Sequence, residues 1–328
     1  MRGSLLALAV AMGGSLTESA QAQGVTASLN HQMTGTIVDE AVQRMSASLT
    51  EESGGDIKIN VFSRGEMGGE RDMFDLMQSG AIEMGVTGSV IVSAIAPEYG
   101  PLDAPYLFSS PEHLHKVMNG EVGAELRDAI LERKGIRIIG RMDRAPRHVT
   151  TSGKAVRKPE DLQGIKIRMR EIPVQVQAFR LLGASPVPMA FGEVYTALQT
   201  GVIDAQENPL DIIMGTSLNE VQDTIILTGH VREVQWLVVS ELWWSNLSEE
   251  VRAKIQSAAD QAMQWGQEKV YAADSNYLEQ ARSSGMTIVE LSPEELSAFQ
   301  AAVADLPKQF EGQWKKGLFE RIAEQAPN

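Results

Sequence analysis

The sequence predicts an α/β protein of two lobes joined by a hinge, with one long helix near the C-terminus reaching both. Three observations lead there. At 328 residues the chain is long enough for two domains of ordinary size. Short segments of period-2 apolar alternation take turns with segments of helical spacing, the order expected of an α/β protein. One unit also recurs: Leu76 to Glu83 (LMQSGAIE) is echoed by Ala197 to Asp204 (ALQTGVID), each reading as a helix, a glycine stop and a strand.

Taken in order, Val25 to Asn30 reads as a first strand. Val38, Ala41, Val42, Met45 and Leu49 then fall at helical spacing until Gly54-Gly55 stops the helix. Ile57, Ile59 and Val61 alternate as a strand, a glycine-rich loop follows, and a helix runs from Glu70 to the Gly80 cap. A third strand is expected over Ile82–Val86. Pro97 to Pro105 is a connection, and Ser110-Pro111 opens a helix with a cap and a proline at its first position. Another helix covers Val122–Lys134 and a strand covers Ile136–Gly140.

Ile165, Ile167 and Met169 alternate with Lys166, Arg168 and Arg170, the pattern of a half-buried strand with guanidinium groups on one face. A further strand is expected over Val202–Ala205, ending in Gln206-Glu207-Asn208-Pro209. A helix is expected over Asp211–Glu220 and an apolar strand over Val231–Ser240. Ser248 caps a helix that meets no proline before residue 293 and should reach Arg282, roughly 50 Å at 1.5 Å per residue. Met286–Val289 is a strand, Ser292 opens a capping box, and a last helix is expected over Lys308–Glu324. Lobe one then comprises residues 24–143 and 233–272, and lobe two residues 144–232 and 273–305. Residues 306–328 pack back on lobe one, and the crossovers near 143 and 232 are hinges.

The chain has no cysteine, which excludes disulfides, thiolate metal sites and a thiol nucleophile. Its five histidines are scattered, so neither a metal nor a cofactor is expected. A net charge of −14 argues against nucleic acid. Yet residues 133–170 hold twelve basic and three acidic side chains, so one basic segment is set apart in an acidic protein. Met1-Arg2-Gly3, an apolar run from Leu5 to Met12 and Ala20-Gln21-Ala22 read as a signal peptide over residues 1–22, predicting export to the periplasm. In an open α/β sheet ligands bind where strands end. Arg168 and Asn208 therefore make a candidate carboxylate clamp, a bidentate fork plus an amide donor.

The Lys166-Ile167-Arg168 strand, the segment Phe191 to Gly201 (FGEVYTALQTG), Gln206 to Pro209 (QENP) and Pro101 to Phe108 (PLDAPYLF) occur in an order that resembles the solute-binding proteins of tripartite ATP-independent periplasmic (TRAP) transporters, the DctP-type family. The resemblance implies a periplasmic-binding-protein fold and a salt bridge from Arg168 to a ligand carboxylate. It implies further cleft contacts from Arg147, Asn208 and Phe191, with Arg144 a weaker candidate. It places Asn30, His31 and Glu70 near the far end of the ligand, and Gln235 and Trp236 on the hinge strand, where core packing is the alternative for Trp236. The expected function is capture of an organic acid, a sugar acid such as a uronate or aldonate, by lobe closure. A monomer would then deliver the acid to the membrane permease subunits. Another carboxylate class (a C4-dicarboxylate, hydroxy or oxo acid), an ATP-driven importer or sensor kinase as partner, and an enzyme acting on a carboxylated substrate are the alternatives. No nucleophile–base pair, P-loop or dinucleotide fingerprint supports the enzyme.

Overall fold

A computed structural model describes residues 24–327, and the expected signal peptide lies outside them. The described residues form eleven strands: β1 Val25–Asn30, β2 Ile57–Phe62, β3 Met84–Thr87, β4 Ile136–Asp143, β5 His148–Thr151, β6 Lys166–Met169, β7 Ser185–Pro188, β8 Ala205–Asn208, β9 Thr224–Ile226, β10 Val234–Ser240 and β11 Thr287–Val289. They make two sheets, ordered β2-β1-β3-β10-β4 and β11-β9-β5-β8-β6-β7.

In the first sheet β1 runs parallel to β2 and β3, while β10 lies antiparallel between β3 and β4. Ala27, Leu29, Ile57 and Ile59 point into the core and meet Val38, Ala41, Val42, Met45 and Leu49 of the helix Ile37–Glu52. Thr36 caps that helix by accepting from the Asp39 amide at 3.3 Å. In the second sheet β5 is antiparallel to both β8 and β9, and β6 is parallel to β7 and β8. This brings the C-terminal ends of β6 and β8 to the same edge of the lobe.

The chain crosses between sheets at residues 144–147 and again at 227–233. It spans both a third time in the helix Glu249–Ser283, 35 residues long. The first half of that helix buries Ile255, Ala258, Ala259, Ala262 and Met263 in the core of the first sheet. The second half puts Tyr277, Leu278 and Ala281 against Ile213, Ile225 and Met286 of the other lobe. Gly266 lets the helix lie close to β4, since a Cβ there would come 2.7 Å from the Met142 sulfur.

Several elements depart from the pattern-based reading. The strand expected over Val202–Ala205 is β8, three residues later. Val202 is 57% exposed, in a turn that the Asp204 amide closes onto the Lys166 carbonyl at 2.8 Å. Asn208 is consequently the last residue of a strand, still at its C-terminal end. The helix expected to reach Glu220 stops at Gly215, and Ser217 follows in the left-handed region at φ 61°. The final helix is broken by Gly312 and Gly317, both at positive φ, into a 3-10 turn Leu306–Phe310 and a short helix Leu318–Ala323. The short helix meets lobe one, where Arg321 pairs with Glu125 at 3.0 Å, and Gln309 accepts from Gln177 of the other lobe at 2.5 Å. β6 is covered on both faces rather than one, so Ile167, Arg168 and Met169 are all buried.

Candidate functional site

A cavity of ≈ 240 Å³ lies between the lobes. One wall comes from lobe one: Gln32, Met33 and the first turn of the helix Glu70–Ser79. The other comes from the crossover and lobe two: Arg144, Arg147, Arg168, Arg170, Phe191 and Asn208.

Arg168 projects from β6. Its Nε and Nη2 both donate to the Met189 carbonyl, at 3.0 and 2.8 Å, and its guanidinium carbon sits 5.8 Å from the centre of the Phe191 ring. Nη1 has no hydrogen-bond partner among the described residues. The side chain is thus locked by its neighbours while one nitrogen faces the cavity. Burial, and then Arg147 and Arg170, push the guanidinium down to about 9 against the pull of Glu207, so it is still cationic at neutral pH.

Arg147 is placed at the cavity, but its fork is filled by the protein. Nε and Nη2 bind the Glu207 carboxylate, Nη1 donates to Glu233 at 3.0 Å, and Nη2 donates to Asn208 Oδ1 at 2.9 Å. Burial pushes the Glu233 carboxyl up, but Arg170, Arg147 and Arg144 outweigh it and hold it at about 2. Glu207 also receives His230 Nε2 at 3.1 Å and is held well below the ordinary carboxylate range. Asn208 Nδ2 donates to Gln206 at 2.5 Å; an amide carries two N–H groups, so one is left to turn to the cavity.

Two arginines that pattern reasoning left without a firm role belong to the same cluster. Arg170 donates to Glu233 at 2.6 Å and to Gln175 at 3.0 Å, and its buried Nε has no partner. Arg144 donates to Gln235 at 2.7 Å, and its Nη2 lies 3.8 Å from Asp211 without a hydrogen bond. Strand alternation carried no signal for Arg144; the hints were its position upstream of the Thr150-Thr151 strand, where the resemblance made it a weaker candidate than Arg147, and the density of basic residues around it. The buried cluster holds four guanidinium groups against Glu207, Glu233 and Asp211, while Asp103 nearby is pushed by burial up to about 7. Below about pH 7, where Asp103 keeps its proton, these buried groups carry one positive charge more than negative, and Arg168 is the member without a carboxylate.

The lobe-one candidates divide. Glu70 lines the cavity, its Oε1 accepting from Thr87 Oγ1 at 2.6 Å and the Gly88 amide at 3.0 Å. Asn30 does not line it. It is fully buried beneath the 65–69 loop, donating to the Gly68 carbonyl at 3.2 Å and accepting from the Met67 amide at 3.4 Å. His31 also lies behind the wall, 3.4 Å from Asp39, accepting from the Met33 amide. Gln235 orients Arg144 from behind, and Trp236 is core, paired in the sheet with Thr87 and Arg141. None of these four lines the cavity: Asn30, His31 and Gln235 are engaged by intramolecular partners, and Trp236 takes the core packing that was its alternative reading.

A profile of the bacterial extracellular solute-binding proteins, family 7 (DctP), matches residues 29–313. A solute-binding protein from Roseobacter denitrificans is 38% identical over 268 residues, 81% of this chain and 80% of that one. A solved TRAP periplasmic solute-binding protein from the same organism, with bound L-galactonate, superposes with a TM-score of 0.84 at 33% identity, covering 92% of this chain and 99% of that chain. The 2,3-diketo-L-gulonate-binding periplasmic protein of Escherichia coli is 32% identical over 76% of each chain. A TRAP periplasmic solute-binding protein from Sulfurospirillum deleyianum with bound succinate has a TM-score of 0.87 at 26% identity, covering 91% of this chain and 98% of that one. With the two-lobed fold and a cationic cleft already in view, these matches establish that the chain belongs to family 7 of the bacterial extracellular solute-binding proteins, the solute receptors of TRAP transport.

Proposed function

We propose that this protein is the periplasmic receptor of a TRAP transporter, that its cargo is a sugar acid such as an aldonate or uronate, and that it works as a binder rather than an enzyme. The observation that carries the reading is Arg168, fixed by Met189 and Phe191 with one nitrogen open to an interlobe cavity and no carboxylate partner of its own. A ligand carboxylate would supply that partner. Each charge-assisted hydrogen bond contributes about 1.5–3 kcal/mol, so two of them with a few neutral bonds reach the roughly −8 kcal/mol of a micromolar site. Asn208 supplies an amide donor, and Arg147 serves as the support that holds Asn208 in place. The segment 1–22 would direct export, and the monomeric closed form would be handed to the membrane permease subunits.

Sugar acids are favoured because the Roseobacter relative carries L-galactonate. Succinate in the Sulfurospirillum relative supports the C4-dicarboxylate alternative. A thermal-shift screen over aldonates, uronates and dicarboxylates tests both, since a ligand at 100 times its dissociation constant adds about 2.7 kcal/mol. Stabilisation by a sugar acid, lost in Arg168→Ala, is the expected result. No shift with any acid, or shifts that survive that substitution, would overturn the reading.

A further inference from the structure

We propose that Glu70 makes this site selective for acids with a single carboxylate, rejecting the dicarboxylic acid of the same length. The inference rests on the carboxylate-receptor reading above and specifies the far end of the ligand. The cavity is polarised. Arg168, the buried arginine without a carboxylate partner, is on the lobe-two wall. On the lobe-one wall stand Glu70 and Asp72, and the basic residue between them, Arg71, is turned to Glu171, donating from Nε at 2.8 Å.

Glu70 is held as an acceptor. Thr87 Oγ1 and the Gly88 amide both donate to Oε1, which fixes the carboxylate, while Oε2 has no hydrogen bond and no cation lies within 4 Å among the described residues. Asp72 is engaged with the Gly69 amide at 3.0 Å. A ligand reaching from Arg168 to this wall therefore meets a carboxylate oxygen that needs a donor. A hydroxyl supplies one. A second carboxylate supplies none, and juxtaposes like charges in a site partly shielded from water. A terminal ammonium would satisfy Glu70, but it would enter a cavity whose walls carry five arginines. The discrimination is thus achieved by an unfavourable contact with the wrong ligand as much as by a favourable one with the right ligand.

The test is calorimetry on matched pairs differing only at the far carbon, galactonate against galactarate and erythronate against meso-tartrate, with wild type, Glu70→Gln and Arg168→Ala. The carboxamide of Glu70→Gln keeps an oxygen for Thr87 and Gly88. Wild type is expected to prefer the monoacid of at least one pair by about 100-fold. Glu70→Gln is expected to narrow that ratio at least tenfold, chiefly by gaining the diacid. Equal binding of both members by wild type, or an unchanged ratio in Glu70→Gln, would overturn the proposal. Dicarboxylate binding without monoacid binding, lost in Arg168→Ala, would overturn the selector and leave the clamp standing. Absence of any Arg168-dependent binding would overturn both.

Discussion

The Met189 carbonyl receives two hydrogen bonds from Arg168, one from Nε and one from Nη2, so the guanidinium is clamped edge-on before any ligand arrives. A lysine has one nitrogen and no fork, and cannot hold Met189 and a carboxylate in a fixed plane together. Arg168→Lys should therefore retain charge and lose at least tenfold in affinity, and Arg168→Ala at least a hundredfold. Calorimetry against the best acid from the screen measures both. Near-wild-type affinity in the lysine variant would show that only charge matters at this position.

Arg147 and Glu207 are buried against each other, with His230 and Glu233 completing the group. Removing one partner of a buried pair costs about 3–5 kcal/mol, because the other charge is left uncompensated. Glu207→Gln keeps the shape and deletes the charge, raising the surplus in the cluster from one cation to two. Its unfolding free energy should fall by about that amount in urea denaturation, with the deficit reduced by a tightly bound acid. A loss under 1 kcal/mol would mean that Glu233 alone compensates the Arg147 charge.

The larger architecture was readable because periodicity and breakers act locally. The alternation in Ile57–Val61, the Gly80 cap and the proline-free run after Ser248 each specify an element without knowledge of its neighbours. Where expectation and structure part, a remote partner decides. Asn208 moved into a strand because Asp204 is tied to Lys166, 38 residues away. Asn30 looked like a ligand contact because it ends a strand, yet its amide is used by Met67 and Gly68. Arg147 carries the motif expected of a ligand residue, but only its three-dimensional position beside Glu207 and Glu233 shows how its donors are used.

Gly35 and Gly215 bring the two lobes into backbone contact on the rim of the cleft. A Cβ on Gly215 would stand 2.6 Å from the Gly35 carbonyl oxygen, closer than side chains ever approach. Neither residue lines the cavity around Arg168. Gly215→Ala should hold the lobes apart, and because a ligand gains only through its differential affinity for the closed form, affinity should drop tenfold or more. Small-angle scattering with saturating acid should show a larger radius than for wild type. Unchanged affinity and radius would mean that closure does not require this contact.

Asp103 is fully buried with one carboxylate oxygen unpartnered, facing Ser89, Arg170 and Glu233, and burial pushes its carboxyl from 3.8 up to about 7. Between those values the native state keeps a proton that the unfolded chain releases. Stability from this residue therefore declines as pH rises from about 4 to 7, and the full penalty persists above 7. Glu233 acts in the opposite sense, its stabilising charge being lost only as pH falls from about 4.5 towards 2. Asp103→Asn should match wild type near pH 4 and exceed it by on the order of 4 kcal/mol at pH 8. Urea unfolding at pH 4, 6 and 8 measures the difference; parallel curves for the two proteins would show that Asp103 is ionised in the folded state throughout, compensated by Arg170.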